Sequence, residues 1–161
     1  MKEIKYKPIG IIHSPFKDPK GTPIQPAAGK NAEGIIELFP EFVEGLKDLD
    51  GFSHLFLLYH FHLIGEAKLK VKPFMDDNEH GIFAIRGPAR PNPIGLSVTR
   101  LIRIEGNKLY IRGVDIVDGT PLLDIKPYVP EFDSKEKVRT GWLEKNVNKL
   151  PNAKDDRRFS K

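Results

Sequence analysis

The stretch LSVTRLIRIEGNKLYIRGV, residues 96–114, predicts a β-hairpin. Both arms are rich in apolar, β-branched and aromatic residues, and they flank Glu105-Gly106-Asn107, a turn whose glycine and asparagine favour joining antiparallel strands. The hairpin therefore indicates an antiparallel fold, to which the sequence on either side adds further strands.

Outside the hairpin, five segments have the length and composition of strands, namely residues 6–13, 34–38, 52–61, 69–72 and 81–85. Residues 52–61 form the most apolar run, which predicts a central strand buried on both faces. A short helix is predicted after Phe39-Pro40, with Phe42, Leu46 and Leu49 on one face. Because helices and strands do not alternate, we predict a mainly β protein: a small antiparallel β-barrel with one or two short helices and no Rossmann domain.

The composition indicates one domain of a cytoplasmic protein. A chain of 161 residues fits a single domain of roughly 100–200 residues. Because cysteine is absent, disulfides, thiolate metal sites and cysteine nucleophiles are excluded. No apolar run approaches the roughly 20 residues of a membrane-spanning helix, and the first residues lack the apolar region of a signal peptide. We therefore expect a cytoplasmic location and no membrane partner.

The positive charge is concentrated at the C-terminus. The formal net charge is +4, and residues 135–161 contain nine Lys or Arg against four Asp or Glu. This basic segment either contacts phosphates or is ordinary solvated surface. We divide the chain into a barrel domain, residues 1–134, and a C-terminal tail, residues 135–161. The tail is expected to begin with a short helix capped by Ser134 and to be disordered beyond Leu150.

A proline-rich loop, residues 86–95, precedes the hairpin. Its prolines stiffen the backbone and remove donors, so the loop holds Arg86, Arg90 and Asn92 ready for a ligand. A guanidinium group on a rigid loop can grip a carboxylate or phosphate with two parallel hydrogen bonds. The alternative is a structural ion pair with one of three aspartates expected to gather at a turn after the hairpin: Asp115, Asp118 and Asp124.

Common nucleotide and metal motifs are missing from the sequence. Neither a G-x-G-x-x-G nor a Walker A sequence occurs, so conventional nucleotide-binding folds have no support. His60 and His62 share one face of the predicted central strand, but two histidines without a nearby carboxylate are better explained as structural or pocket-lining groups. We therefore predict no metal site.

Four stretches closely resemble the TsaA-like / TrmO family of S-adenosylmethionine-dependent tRNA (adenine-N6)-methyltransferases: IGIIHSPF at 9–16, FSHLFLLYHFH at 52–62, RPNPIGLS at 90–97 and DGTPLLDIKPY at 118–128. The resemblance covers about residues 4–133 in unbroken order. It implies a β-barrel that binds S-adenosylmethionine without a Rossmann domain and acts as a homodimer. It also implies methylation of N6 of the threonylcarbamoyl-adenosine beside the tRNA anticodon.

The resemblance further implies a set of cofactor-binding residues: Gln25, Pro26, Ala27, His62, Leu63, Arg86, Leu96, Val114, Asp115, Ile116 and Val117. The cofactor presents a carboxylate, a cationic sulfonium and an adenine. Arginine suits the carboxylate, carboxylates or carbonyls suit the sulfonium, and an apolar slot with backbone groups suits the adenine.

Asp118 and Asp124 are the predicted catalytic residues. A carbamoylated N6 has a delocalised lone pair, so removal of its proton by a carboxylate is expected to help. Asp118 also opens a glycine-containing turn, which is an equally good structural explanation. Substrate contacts are predicted for Arg90, Asn92, Lys126 and Tyr128, with Lys126 on an RNA phosphate and Tyr128 stacked on an anticodon-loop base.

Two other functions are compatible with the sequence. A noncatalytic RNA-binding barrel would use the same basic surface and aromatic platform. A methyltransferase acting on another small acceptor would use the same cofactor site. The rigid loop at residues 86–95 favours a methyltransferase over a noncatalytic RNA-binding barrel, because a plain RNA binder has little need of a pocket with convergent arginines and carboxylates.

Overall fold

The computed structural model describes residues 1–24, 31–146, 154–156 and 158–160. Within these ranges the strands are β1 (Gly10–His13), β2 (Glu33–Leu38), β3 (His54–His60), β4 (Lys70–Val71), β5 (His80–Gly81), β6 (Ile94–Glu105), β7 (Lys108–Arg112) and β8 (Thr120–Pro127). The helical elements are α1 (Pro130–Asp133) and 3-10 helices at Pro40–Leu46, Leu49–Gly51, Ile82–Ala84 and Gly141–Lys145. Across the described ranges, no helix combines the length and apolar character needed to cross a bilayer.

Six strands form a closed barrel in the order β1-β2-β7-β6-β3-β8, and a separate two-stranded sheet pairs β4 with β5. All neighbouring barrel strands are antiparallel, and β8 closes the barrel by pairing with both β1 and β3. The predicted hairpin is the β6–β7 pair, in which Glu105 lies opposite Lys108 across the turn. The predicted antiparallel barrel is thus confirmed.

The barrel interior is filled by alternate side chains from the strands. The largest fully buried side chains inside it are Ile12, Ile36, Leu55, Leu57, Leu109, Ile111 and Leu122. Each such Leu or Ile contributes about 1.5–3 kcal/mol by leaving water. The predicted helical segment forms two 3-10 helices, Pro40–Leu46 and Leu49–Gly51, and Phe42, Leu46 and Leu49 pack against this core.

The prediction that β3 is buried on both faces was wrong. Leu55, Leu57 and Tyr59 point into the barrel and are buried, whereas Phe56, Leu58 and His60 are only half-buried. Closing a sheet into a barrel gives each strand one inner and one outer face. The apolar and aromatic residues of β3 therefore contribute alternately to the barrel core and to its outer surface.

The segment expected to be a strand at residues 81–85 is largely a 3-10 helix, Ile82–Ala84. Ile82 and Ile85 are both buried, while Phe83 between them is 77% exposed. Residues three apart lie on the same face of a 3-10 helix but on opposite faces of a strand. The short apolar run is compatible with either a strand or a 3-10 helix. Of the expected hairpin, only β4 and β5 pair as strands.

Strand β8, which contains two prolines, was not among the predicted strands. Pro121 pairs with Ile11 of β1, and Pro127 pairs with Leu55 of β3. Each proline lies near one end of β8, where only one neighbouring strand is paired with it. A missing backbone donor is tolerated at such positions.

The C-terminal region differs from its prediction. Ser134 ends α1 instead of capping a later helix, and the next helical element is Gly141–Lys145. Disorder was expected beyond Leu150, but Phe159 is buried, with 6% of its surface exposed, in a second apolar cluster. Apolar contacts therefore hold part of this segment against the body of the protein. The boundary between a barrel domain and a basic tail stays a prediction.

Candidate functional site

The strand register brings distant parts of the sequence to one end of the barrel. His60 at the end of β3 lies opposite Ile94 at the start of β6, and Ile12 near the end of β1 lies opposite Thr120 at the start of β8. We call this the His60 end. The segments that follow β3 and β7 both emerge there, so His62 and Leu63 lie at the same end of the barrel as residues 114–118.

A chain of buried hydroxyl groups crosses the His60 end. Tyr59 Oη lies 2.9 Å from Ser97 Oγ, and Ser97 Oγ donates a 2.6 Å hydrogen bond to Asp115 Oδ1. Because a hydroxyl has one proton, Ser97 accepts from Tyr59 while it donates to Asp115. This series of hydroxyl groups therefore ends on the carboxylate of Asp115, one of the predicted cofactor-binding residues.

Burial shifts the pKa of Tyr59 and of Asp115, the two ends of this hydrogen-bonded chain. Asp115 as a whole keeps partial exposure, but burial of its carboxyl group raises its pKa to about 7, against a smaller opposing effect of the Ser97 hydrogen bond. Burial, and then the charge of Asp115, raises the pKa of Tyr59. Asp115 thus changes its charge near neutral pH, while Tyr59 stays a hydroxyl donor.

Gly95 leaves the space that the Tyr59 ring occupies. A Cβ atom built on Gly95 would lie 2.2 Å from Cε2 of that ring, far closer than atoms can approach. Tyr59 and Gly95 are cross-strand partners in β3 and β6. The glycine of the RPNPIGLS stretch is therefore required by packing, and it allows the hydroxyl chain to form.

Asp118 fastens the end of β1 to the segment after β7. Its Oδ1 accepts a 2.9 Å hydrogen bond from the backbone N–H of Ser14, and its Oδ2 accepts a 2.8 Å hydrogen bond from Lys17 Nζ. Ser14 Oγ in turn donates to the carbonyl of Ile116. The Lys17 hydrogen bond is the main reason that the pKa of Asp118 is lowered. This arrangement gives Asp118 a clear structural task.

His62 and Leu63 continue directly from β3 at the His60 end. His62 Nδ1 lies 3.4 Å from the Thr120 hydroxyl, and burial followed by the charge of His60 lowers the pKa of His62. Leu63 is 40% exposed. The pair combines a neutral imidazole with an uncovered apolar side chain, which suits contact with a heterocycle.

Among the loop residues, Arg90 is held by its own loop. Its Nη1 donates to the carbonyls of Ile82, Ile85 and Gly87, at 3.0, 2.7 and 3.3 Å. The ion pair with an aspartate, considered as the alternative, is replaced by these carbonyl contacts. Arg86 and Asn92 are exposed. The substrate role of Arg90 stays a prediction, but its guanidinium already organises the loop that carries Arg86.

Asp124, Lys126 and Tyr128 lie away from Asp115 and Asp118, along the outer face of β8. Leu58 is the cross-strand partner of both Asp124 and Leu96, so Asp124 and the predicted cofactor residue Leu96 share one row of that face. Asp124 Oδ2 and Lys126 Nζ form a 2.9 Å ion pair. The expectation that the three aspartates gather at one turn was therefore wrong, because β8 is a strand and carries Asp124 away.

Gln25, Pro26 and Ala27 lie outside the described residues, so their cofactor role stays a prediction. Within the described ranges, no group of three or more His, Cys, Asp or Glu side chains is arranged to hold a metal ion. A groove of about 480 Å³ borders Asp118 and Lys17 and extends past Arg103 and Tyr110. Of the predicted site residues, only Asp118 lines it, so this groove lies beside the cofactor surface.

Sequence reasoning missed Tyr59, Ser97 and Gly95 as site-forming residues. Tyr59 was placed in a buried strand, and Ser97 was given no role in the predicted site. The signal that connects them is the β3–β6 register, in which Tyr59 lies opposite Gly95 and Leu57 lies opposite Ser97. Patterns within either strand cannot reveal this register.

Comparison with known proteins gives consistent matches. The profile of the tRNA-methyltransferase O N-terminal domain family matches residues 11–134. A probable S-adenosyl-L-methionine-binding protein of Pyrococcus abyssi is 65% identical over 156 residues, covering 97% of this chain and 85% of that protein. The human tRNA (adenine(37)-N6)-methyltransferase is 37% identical over 139 residues, covering 82% of this chain but only 32% of that enzyme.

Solved structures agree with the sequence matches. A crystal structure of TrmO superposes with a TM-score of 0.73 at 44% identity, covering 87% of this chain and 64% of that one. TrmO from Pseudomonas aeruginosa gives a TM-score of 0.73 at 40% identity, covering 88% of this chain and 63% of that one. The chain thus spans somewhat under two thirds of these solved chains. The barrel, the motifs gathered at its His60 end and these matches together place the chain in the tRNA-methyltransferase O N-terminal domain family.

Proposed function

We propose that this protein is an S-adenosylmethionine-dependent methyltransferase that modifies N6 of the adenosine 3′ of the tRNA anticodon. The observation that carries the proposal is the convergence of Leu63 and residues 114–118 at the His60 end, next to the face that carries Leu96. Family membership and the names of the relatives support the same reaction.

The residues at this end fit the parts of S-adenosylmethionine. Leu63 and Leu96 offer exposed apolar surface for the adenine, at 40% and 46% exposure. Val114 and Ile116 have buried side chains, so they would meet the cofactor through backbone groups. The Asp115 carboxylate suits the sulfonium, and Arg86 suits the carboxylate. When bound, S-adenosylmethionine supplies a methyl group on its positively charged sulfur.

Arg86→Ala is expected to weaken binding of S-adenosylmethionine by about 1.5–3 kcal/mol, because a charge-assisted hydrogen bond to the cofactor carboxylate is lost. Calorimetric titration of the purified protein measures the effect. Arg103→Ala is the matched control, because Arg103 is an exposed arginine near the end of β6 that is opposite the His60 end. If the folded wild-type protein binds no cofactor, the RNA-binding barrel becomes the better function.

The role of general base falls to Asp124 more readily than to Asp118. Asp118 has a lowered pKa and is held by Ser14 and Lys17, whereas the Asp124 side chain is 47% exposed, is paired with the exposed Lys126 and shares a row with Leu96. A carboxylate held at low pKa is a weaker base. Asp124→Asn should therefore lower kcat more than Asp118→Asn does, with cofactor affinity retained; the reverse order in single-turnover assays would assign the base to Asp118.

A basic and aromatic row on the outer sheet face is suited to RNA. His54 is the cross-strand partner of Arg100, which lies directly opposite Arg112. Tyr128 packs edge-on against His54, with ring centroids 6.4 Å apart. Glu33 pairs with Arg112 at 2.8 Å and so offsets part of the repulsion between the two arginines, and a bound phosphate would offset the rest. Lys126 on the same face extends the positive surface.

We expect the threonylcarbamoyl group to be required on the adenosine before methyl transfer. The group carries a carboxylate, and Lys126 and Arg100 offer cations on the proposed RNA face. Loss of one charge-assisted contact at such an exposed site should lower the methylation rate by about tenfold. The measurement compares methylation of one tRNA with and without the modification at fixed salt, because phosphate contacts are salt-dependent. Equal rates for the two tRNAs would rule out this requirement.

The working particle is proposed to be a homodimer. Ile94 and Leu96 on the outer face of β6 are 41% and 46% exposed, beside the half-buried Leu58 and Phe56 of β3. A second copy would cover this apolar face and enclose a cofactor bound at Leu96. Light scattering should give twice the chain mass, and Leu96→Lys should shift it toward the monomer. A fully active monomer at nanomolar concentration would argue against the dimer.

A further inference from the structure

The described C-terminal residues are bound to the loop that follows β1. The backbone N–H of Gly21 donates to the carbonyl of Asp155 at 2.6 Å, and the N–H of Asp155 donates to the carbonyl of Thr22 at 2.8 Å. Pro23 and Lys154 extend this contact as an antiparallel bridge. The segment thus adds a short strand-like pairing to that loop.

Phe159 ties the same segment to two more loops. Its carbonyl accepts a 2.9 Å hydrogen bond from the N–H of Gly65, and Ser160 forms a bridge with Ile64. Its side chain is buried in a cluster with Ile82, Ile85 and Ala89. The buried side chain of Phe159 thus holds the segment that carries Ile82 and Ile85, while its backbone and that of Ser160 hold Ile64 and Gly65.

Arg158 locks the segment beside Phe159. Its Nη1 donates to the carbonyls of Lys72 and Pro73, at 3.2 and 2.9 Å, and its guanidinium carbon lies 4.8 Å from the centre of the Phe74 ring. Asp156 accepts from Arg158 Nε at 2.9 and 3.0 Å and so holds the guanidinium in place. These directional contacts set the register in which Phe159 enters its cluster.

A second aromatic anchor lies upstream in the same region. Trp142 Nε1 donates a 2.8 Å hydrogen bond to the carbonyl of Ala84, and its ring stacks on His80 at 4.7 Å. Ala84 ends the 3-10 helix Ile82–Ala84. The segment just before Arg86 is therefore held from both sides by residues that come after the barrel.

We propose that residues 154–156 and 158–160 form a C-terminal clasp that positions the cofactor loops, with Phe159 as its main positioning residue. Ile64 and Gly65 directly follow His62 and Leu63, and Ile85 directly precedes Arg86. Releasing Phe159 therefore frees both loops that carry those residues, and cofactor affinity depends on the clasp. The inference rests on the proposed cofactor function of Leu63 and Arg86. It replaces the view of the tail as a disordered appendage that contacts only phosphates.

The experiment compares the full-length protein with its Phe159→Ala variant in titrations with S-adenosylhomocysteine, the demethylated product. If the loops adopt the binding arrangement about a tenth of the time without Phe159, affinity falls about tenfold. Phe132→Ala is the matched control, because Phe132 is 74% exposed, and it should bind like the wild type. Phe159→Leu keeps an apolar side chain and should recover most of the affinity.

Hydrogen exchange supplies a second readout that needs no ligand. Amides of residues 62–66 and 82–87 should exchange faster in Phe159→Ala than in the wild type or Phe132→Ala. Unchanged affinity and unchanged exchange in a folded Phe159→Ala protein would overturn the clasp. If Phe159→Ala does not fold, Arg158→Ala takes its place in both measurements. If the wild type fails to bind the product, the proposed function fails, whereas the exchange comparison still decides whether the clasp holds these loops.

Discussion

Gly95→Ala is expected to lower the free energy of unfolding by about 3 kcal/mol, at the upper end of the range for overpacked cores. The new Cβ would lie 2.2 Å from the Tyr59 ring. The ring has little room to move, because its hydroxyl is hydrogen-bonded to Ser97 and the ring contacts that of Phe61, with the two ring centroids 5.4 Å apart. Urea unfolding of the two proteins measures the difference.

A matched glycine substitution separates this clash from the general effect of adding a methyl group. A Cβ atom added to Gly45 would meet no other atom within 4 Å, so Gly45→Ala should change stability by no more than about 0.5 kcal/mol. Tyr59→Leu in the Gly95→Ala background should recover part of the lost stability, because it removes the ring that is struck. A Gly95→Ala protein as stable as the wild type would show that β6 shifts freely away from Tyr59.

Asp115→Asn is expected to stabilise the protein above pH 7 and to leave it almost unchanged near pH 4. Burial raises the pKa of Asp115 to about 7 from 3.8, so the folded state binds the proton more tightly than the unfolded state does. Stability from this group is therefore fully present below the unfolded pKa and is lost as pH rises to about 7. At 1.36 kcal/mol per pKa unit, the loss is at most about 4 kcal/mol, and the partial exposure of Asp115 reduces it.

Chemical unfolding at several pH values between 4 and 8 gives the free energy of unfolding of the variant and of the wild type. The difference between the two proteins tests the expectation, because the effects of the other titrating groups cancel in it. Asparagine keeps an oxygen that can accept from Ser97 but carries no charge. Asp124→Asn is the control, because the Asp124 side chain is 47% exposed and paired with Lys126; its effect should stay below about 1 kcal/mol. A stability difference for Asp115→Asn that does not vary with pH would contradict the raised pKa.

The Asp115 carboxylate, although destabilising, suits the proposed cofactor site. A buried negative charge lowers stability by itself, yet it provides an attractive partner for a cationic sulfonium in a region of low dielectric. Asp115→Asn should therefore bind S-adenosylmethionine more weakly while it unfolds less readily. The neutral product S-adenosylhomocysteine should be affected less, because its sulfur carries no charge.

The sequence by itself determined the fold class. The β6–β7 hairpin was predictable because its turn and its alternating arms are local properties of residues 96–114. Residues at the ends of predicted strands, such as His62 and Leu96, could be assigned to a cofactor site by resemblance to a family. The same patterns could not define Ile82–Ala84 or β8. Three apolar residues fit either a strand or a 3-10 helix, and the two prolines of β8 disfavour a strand unless, as here, each lies where only one neighbouring strand pairs.

Only the tertiary structure decided how these pieces meet. Tyr59 and Ser97 are 38 residues apart, and their contact with Asp115 depends on barrel closure, which sets the relative register of strands that are distant in sequence. Gly95 is required only because the Tyr59 ring lies across from it, and Phe159 is buried only because the barrel loops form an apolar cluster at that place. Composition predicted disorder for that segment, since a polar stretch with one phenylalanine cannot bury enough surface alone. The surface that receives Phe159 is built mainly by Val71, Ile82, Ile85 and Ala89, which lie far earlier in the chain, and no local pattern contains it.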